Sequence, residues 1–570
     1  MKGFFKRFIP ILFLSLTAFF FSSLEVYLGN IAEFTFPAKH VWWIMGVFSI
    51  GIAAVYAAIS AFFPKKLSDF MNYLFVGLGI CIYIQSMFLN GSLQELNGEN
   101  TVFSSGLIVR NAVCWALIIG ASAALFFLLS AKAENSKATE VLMLISAGLI
   151  LIQGAGLFST AAGIMPEDAE KDSYLSTDKE FELSSGKNVL FFILDNCDSL
   201  IVKDALEQDP SLFKGLSGFT YYPDATTKYS RTYPAVPYLL THELCFFDKP
   251  YTQYISDAYE NSSFLNKIHE TGTDIRIYTS LSYISSDAYE LVDNVSSYNS
   301  RSISVLSPVN LIKAMLRLGG YRGMPYILKG LFSYTIDPIN RNVLSGMPDN
   351  YFTLTNNDFD FHNRLSEKGV SVTDDYDSAF RFYHLFGPHP GCYMDEQAGY
   401  DLHATQAQAL RGDMKILNEF FDEMKASGTY DNATIIITAD HGNQNESDDL
   451  LLHNPACCIM LVKPSGAREP AVKISGAQVC HDDLFSMVYN GLGFDHFLSE
   501  PSIIEIPENL DRERYYYHTA QFNATDGEVA LREYKISGNA EDFSNWQLTG
   551  EFWDILHSAN AVSKTRLNTQ

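Results

Sequence analysis

No two of the eight cysteines stand in a Cys-x-x-Cys spacing. That excludes a zinc ribbon and a dithiol redox motif, and the scatter of Cys197, Cys245, Cys392, Cys457, Cys458 and Cys480 excludes a dense disulfide framework while leaving room for one bridge. Basic residues are also scarce, with 40 Lys and Arg against 65 Asp and Glu, a net charge of −25. Phosphate backbones are held by excess Lys and Arg, so nucleic acid is excluded as a partner. There is no internal repeat and no low-complexity tract, and long apolar runs are scarce beyond residue 165.

Before residue 165 those runs dominate. Five are long enough to cross a hydrocarbon core: Phe8–Leu28, His40–Phe63, Phe70–Leu89, Leu107–Ser130 and Val141–Ala162. This part carries 9 Lys and Arg against 7 Asp and Glu, and the remainder carries 31 against 58. The expectation is an N-terminal five-span transmembrane domain over 1–164, a polar linker over 165–187 and an acidic domain with a substantial core. Lys2, Lys6 and Arg7 precede the first span, Lys65 and Lys66 join the second and third, and Lys132 and Lys137 join the fourth and fifth. The opposite loops hold a single lysine, Lys39. By the positive-inside rule the N-terminus is cytoplasmic, and five spans then leave everything after the fifth outside the cell. Glu25 and Arg110 are expected at the ends of spans, where they can snorkel to the interface.

The acidic part reads as an α/β domain over 188–504. Asn188–Asp195 and Ala433–Ala439 are continuous apolar runs of strand length that end in polar turns, the pattern of strands buried in a parallel sheet; Cys457–Val462 is a third. Between them, His403–Ala426 repeats its apolar residues at helical spacing: Leu410, Met414, Leu417, Phe420, Phe421 and Met424. In such sheets ligands bind at the C-terminal strand ends, where Asp195 and Asp440-His441 fall. A C-terminal extension, 505–570, is polar, aromatic and β-rich, without a catalytic signal of its own.

Four islands hold the candidate chemistry. They are Leu194-Asp195-Asn196; Tyr229-Ser230-Arg231-Thr232, running on to Pro237; Tyr383-His384 with His389-Pro390; and Asp440-His441-Gly442 with His453 twelve residues later. Each has an ordinary explanation alone: a strand-end Asp caps helices, and a Thr before prolines shapes a turn. Taken together, they resemble the alkaline phosphatase and sulfatase superfamily, most nearly the bacterial phosphoethanolamine transferases and lipoteichoic acid synthases, along the chain to about residue 500. Asp195 stands where those relatives carry Glu, and the segment reads Gly-Pro-His-Pro where they have Gly-Ser-His-Gly.

The resemblance implies metal ligands at Asp195, Thr232, Asp440 and His441, with Thr232 also the nucleophile. It implies catalytic or phosphoryl-holding roles for His389 and His453, and a substrate contact at His384. Arg231 and Lys228 are candidates for binding an anionic donor. Carboxylates plus imidazole suit Zn²⁺ or Mn²⁺, and a divalent cation would lower the threonine pKa and neutralise phosphate charge. The implied activity moves a phospho-alcohol group, of phosphoethanolamine or phosphoglycerol type, from a membrane phospholipid donor to a cell-surface glycan, lipid or polymer, at the outer face of a bacterial cell membrane. Two other readings stand beside it: a phosphodiesterase or sulfatase-type hydrolase of the same fold, and a degenerate surface-binding module. A formylglycine sulfatase needs Cys or Ser followed by Pro two and Arg four residues on. No cysteine has that proline, and the Thr232 island lacks the full spacing.

Overall fold

The computed structural model describes residues 2–29, 34, 38–90, 103–131, 135–162, 173–246, 251–297, 304–305, 307–332, 344–345, 350–352, 354, 358–442, 456–494, 498, 500–520 and 528–556. His453 lies outside them. The chain forms two compact units, one of Met1–Asp172 with Tyr298–Pro348 and the other of Ser173–Ser297 with Asp349–Gln570.

The first unit holds five helices long and apolar enough to cross a membrane: α1 (Phe4–Gly29), α2 (Ala38–Phe62), α3 (Lys65–Leu89), α4 (Ser105–Leu129) and α5 (Lys137–Ala162). They match the five expected runs with small extensions. This unit departs from the linear division of the chain, because residues 298–348 pack with it rather than with the sheet that precedes and follows them. The reason is an apolar face. Leu311, Ala314, Met315 and Leu318 share a core with Leu24, Tyr27, Leu28 and Val41. Polar contacts fix the same segment. Arg322 Nε pairs with Glu25 at 2.8 Å, so that carboxylate is held by a guanidinium rather than left to snorkel, and Ser23 donates to the Met315 carbonyl at 2.8 Å.

The second unit is built on a seven-stranded sheet. In chain order its strands are β1 (Lys187–Leu194), β2 (Thr220–Tyr221), β3 (Asp274–Tyr278), β4 (Ser378–Leu385), β5 (Ala433–Thr438), β6 (Met460–Lys463) and β7 (Lys473–Ile474). Across the sheet the order is β7-β2-β6-β5-β1-β4-β3. The four strands from β5 to β3 run parallel, while β6 is antiparallel to both its neighbours. The apolar runs decide this arrangement, since β1 and β5 are buried along almost their whole length and only a doubly covered sheet accommodates such strands. The covering helix Gln406–Ser427 starts three residues later than the periodicity suggests. Thr405 caps it and exchanges hydrogen bonds with Gln408, a capping box that follows the turn at Leu402 and His403. The C-terminal extension forms a three-stranded antiparallel sheet of β8 (Glu513–Ala520), β9 (Glu528–Ser537) and β10 (Trp546–Leu556). All eight cysteines are free thiols, and seven are buried.

Candidate metal and phosphoryl-transfer site

The neighbouring parallel strands β1 and β5 pair Ile193 with Thr438. Just past these ends the chain delivers Asp195 from one strand, and Asp440 and His441 from the other, to the same point. Each offers one ligand atom, and these atoms all lie within 4.8 Å of one another. His441 Nε2 is 3.6 Å from Asp195 Oδ1 and 3.4 Å from Asp440 Oδ2. His441 Nδ1 lies 2.8 Å from the Gly442 carbonyl; as that oxygen can only accept, the proton sits on Nδ1 and the Nε2 lone pair faces the carboxylates. Thr232 Oγ1 is 3.1 Å from the same Nε2.

Close approach of the β1 and β4 turns completes the pocket. Gly387 has φ +58°, and a Cβ there would lie 2.9 Å from the Asp195 nitrogen, so this turn requires glycine. Asn196 takes a left-handed conformation, φ 60°, and its amide donates to Asp440 Oδ1 at 3.1 Å. His384, at the end of β4, lies 3.5 Å from Asp195 Oδ2 through Nε2 and 2.8 Å from Thr279 Oγ1 through Nδ1. His389 sits in the following turn, with Nδ1 2.9 Å from the Pro390 carbonyl, which leaves Nε2 free to accept or pass a proton.

The electrostatics are those of a cation site. Burial and the neighbouring Asp440 charge push Asp195 up to about 7, against the opposing pull of His389 and His441. Burial works against ionised Asp440 too, but His441, His384, the Thr232 hydroxyl and the Asn196 amide together hold it below the usual carboxylate range. Asp195 Oδ1, Asp440 Oδ2 and His384 Nε2 are buried without a hydrogen-bond partner. Buried polar atoms are nearly always satisfied, so two orphaned carboxylate oxygens facing an imidazole lone pair fit a divalent cation.

Thr232 opens the helix α6 (Thr232–Thr241), with Arg231 as its N-cap. A helix N-terminus favours negative charge, here an alkoxide or phosphate on that hydroxyl. Pro234 lies within the first turn, where the missing amide hydrogen is not needed. Lys228 departs from its expected role in binding donor. It is buried, with Nζ 2.8 Å from Asp482 Oδ2, and it lies over the rings of Tyr238 and Tyr517. Tyr238 donates to the other Asp482 oxygen. Lys228 therefore braces the segment leading to Thr232.

Several residues at this site gave no sequence signal. Fully buried His481 accepts the Lys228 amide at Nδ1, 3.3 Å, and donates from Nε2 to the Ala439 carbonyl, 3.0 Å. One ring thus ties the segment leading to Thr232 to the β5 end, and burial pushes its pKa down to about 4, which keeps it neutral. Asp358 accepts the Phe386 and Gly387 amides, both at 2.9 Å, and positions the turn that carries His389. The polar run His481-Asp482-Asp483 after a strand was the one visible cue.

No protein-family model and no curated protein sequence matches the chain. Solved structures do. The chain is similar to alkaline phosphatase superfamily structures. One is a protein of that superfamily from Vibrio parahaemolyticus, 14% identical over 70% of this chain and 85% of that one, TM-score 0.32. Another is the C-terminal periplasmic domain of EcEptC from Escherichia coli, 12% identical over 67% and 99%, TM-score 0.33. A third is the phosphonate monoester hydrolase SpPMH of Silicibacter pomeroyi, 12% identical over 65% and 89%, TM-score 0.33. Likeness at this level carries no functional argument; the arrangement of side chains does.

Proposed function

We propose that this protein is a membrane-anchored, metal-dependent phosphotransferase that moves a phospho-alcohol group from a lipid donor to a cell-surface glycan, lipid or polymer through a phosphorylated Thr232. The observation that carries the reading is the convergence of Asp195, Asp440 and His441 on the Thr232 hydroxyl, with two buried carboxylate oxygens left unpaired. Asp195, Asp440 and His441 would hold the cation, Zn²⁺ or Mn²⁺, with Thr232 beside it; when bound, it supplies charge to lower the hydroxyl pKa and offset phosphate charge.

The chain's own groups do the rest. Thr232 loses its proton to solvent or to a neighbouring base, and Oγ1 attacks the phosphorus of a phosphodiester from the side opposite the leaving lipid alcohol. The bond from phosphorus to the lipid oxygen breaks, and His389, having first taken a proton from solvent at Nε2, passes it to that oxygen. An acceptor hydroxyl then gives up its proton to the same imidazole and displaces Thr232 from phosphorus. His384 lies beside Asp195, and Arg231 is suited to the donor's anionic charge. His453, twelve residues past His441, remains a candidate for the same work. The five apolar helices support anchorage, and the lysine asymmetry of their loops supports an outward-facing site. Tethering at the bilayer raises the effective concentration of the site near a lipid donor.

The test is intact mass and peptide mapping of the full-length protein in detergent after incubation with phosphatidylethanolamine or phosphatidylglycerol and Zn²⁺ or Mn²⁺. An adduct on Thr232, absent from Thr232→Ala and after chelation, is the expected result, and its mass gives the head group. A protein that turns over phosphodiesters with no adduct under any quench condition would instead be a hydrolase acting directly through water.

A further inference from the structure

The acidic half of the chain contains an island without acids. From Asn294 to Ile336 there is no Asp or Glu, and there are five Lys and Arg. The described part of this island holds two helices, α7 (Pro308–Gly323) and α8 (Tyr326–Lys329), with Met324 and Pro325 between them. Both belong to the unit of the five apolar helices, and α7 lies along those helices rather than across their ends. Ser23, which donates to the Met315 carbonyl, stands six residues before the end of α1, about 9 Å along a helix axis. A Cβ on Gly319 would lie 2.7 Å from Ser23 Oγ, and one on Gly323 would lie 3.0 Å from Ile82 Cγ2. Ile82 is seven residues before the end of α3, about 10 Å. Small residues let helix backbones come this close inside a bilayer. If five helices cross, these ends of α1 and α3 are on the side where the chain leaves α5, so α7 reaches into the apolar layer from that side.

The break between α7 and α8 is built for a place without water. The Arg322 carbonyl accepts from Asn90 Nδ2 at 2.9 Å and from Lys329 Nζ at 3.2 Å, and the Tyr321 carbonyl accepts from the same Nζ. The Tyr326 amide donates to Asn111 Oδ1 at 3.2 Å. Gln85 holds both asparagines, donating to Asn90 Oδ1 and accepting from Asn111 Nδ2, each at 2.8 Å. Broken helix at membrane depth survives only where protein groups take up the freed carbonyls and amides, and here the side chains of α3, α4 and the segment after α3 do so. The outward side is apolar. Ile327 is 67% exposed and Leu331 73%, matching Phe158 at 71% and Leu151 at 73% on α5, and Leu328 between them is exposed as well. Three such side chains within five residues make a patch that water penalises. The exposed charges of α7 are Lys313 and Arg317, one turn apart and both positive.

We propose that residues 307–332 form a re-entrant membrane element that enters and leaves the bilayer on one side. Ile327, Leu328 and Leu331 lie against phospholipid acyl chains, and Lys313 and Arg317 meet the phosphates. With 16 residues, α7 is too short to cross a hydrocarbon core that takes about 20, and Met324-Pro325 stops it. Two features choose phospholipid as the occupant of the exposed face: it continues the apolar surface of the helices it packs on, and the segment is cationic throughout, as a surface for anionic lipid is. The chain is then held to the bilayer from within its acidic half as well as at its N-terminal end. The inference depends on the five helices crossing a membrane and not on the chemistry at Thr232.

The experiment uses full-length protein reconstituted in vesicles of phosphatidylcholine and phosphatidylglycerol. A nitrobenzoxadiazole probe is attached at Ile327→Cys, at Leu331→Cys and, as a reference in the second unit, at Lys214→Cys; the signal from the thiols of the unaltered protein is subtracted. All three positions are exposed, so the substitutions leave packing in place. Hydrocarbon excludes ions, so quenching by iodide should be about fivefold or more weaker at 327 and 331 than at 214. Phosphatidylcholine carrying a nitroxide on its acyl chain should quench 327 and 331 and spare 214. A second measurement needs no variant: in vesicles containing phosphatidylcholine with a diazirine on its acyl chain, photolysis and peptide mapping of the unaltered protein should find lipid adducts on 326–332 as well as on the five helices. Iodide reaching 327 and 331 as it reaches 214 would overturn the proposal. So would probes shielded from both quenchers, the result for a face covered by a second copy or by the rest of the chain, and so would adducts confined to the five helices. Turnover at Thr232 enters none of these readings, so either idea can fail without the other.

Discussion

Strand β4 carries buried charge chemistry of two kinds, a few residues apart. Arg381, whose side chain is fully buried, lies 2.7 Å from Asp274 and donates to the carbonyls of Glu182 and Asp274 and to the Tyr376 hydroxyl. Arg276 pairs with the same Asp274 at 2.8 Å. His384, three residues further on, lies 3.5 Å from Asp195 and acts on Asp440, in a group where carboxylate oxygens and an imidazole nitrogen find no partner. Burial is the same in both places and completeness is not. A closed network holds strands together; an open one waits for a ligand, and in this sheet the open one stands at the C-terminal strand ends.

Breaking the two networks should therefore give opposite phenotypes. Asp440→Asn keeps the shape and one acceptor for the Asn196 amide but removes a ligand charge. It should lower bis(p-nitrophenyl) phosphate turnover by about 10³-fold or more while shifting unfolding stability in chelator by less than about 1 kcal/mol. Arg381→Met should do the reverse, with stability in urea falling by about 3 kcal/mol as buried acceptors lose their donor, and per-molecule activity of the folded fraction holding. If both variants lose stability equally, the acid cluster is scaffold too and the comparison collapses. His481→Phe sharpens the boundary between the two kinds. Its imidazole touches the β5 end and the Lys228 amide rather than the reacting groups, so metal affinity or turnover should fall roughly 10–100-fold, and replacement with Gln should restore part of it. The smallest effect is expected at Thr405→Ala, which removes a helix cap worth about 1 kcal/mol and should leave the metal-titration midpoint in place.

The parts legible in the sequence were those written locally. Asn188–Asp195 and Ala433–Ala439 announced buried strands because a strand covered on both faces has no polar positions to alternate. Asp195 and Asp440-His441 could then be placed by rule at the C-terminal ends. The start of the Gln406–Ser427 helix was legible in Thr405 and Gln408 had the capping box been weighed above periodicity. What stayed hidden depends on pairs far apart in the chain. Nothing near Tyr517 indicates that its backbone will join Lys228 and Ser230. Nothing around Leu311 or Met315 says that an amphipathic helix set within the acidic half will pack with the N-terminal helices. Lys228 misled for a related reason: a lysine beside a nucleophile looks like a substrate contact until Asp482, distant in sequence, arrives to neutralise it.

The pairing of β8 with the segment leading to Thr232 also bears on the order of events during biosynthesis. Residues 228–230 leave the ribosome long before their edge partner at Tyr517 exists, and the contact closes a long stretch of chain, a slow kind of step in folding. Until then the Thr232 segment lacks the strand that straightens it and the anchor that Arg514 sets on Asp224. A chain arrested before β8 would keep the Asp195, Asp440 and His441 cluster and still lack the pairing that aligns Thr232, so the candidate site is completed only after that strand has been made.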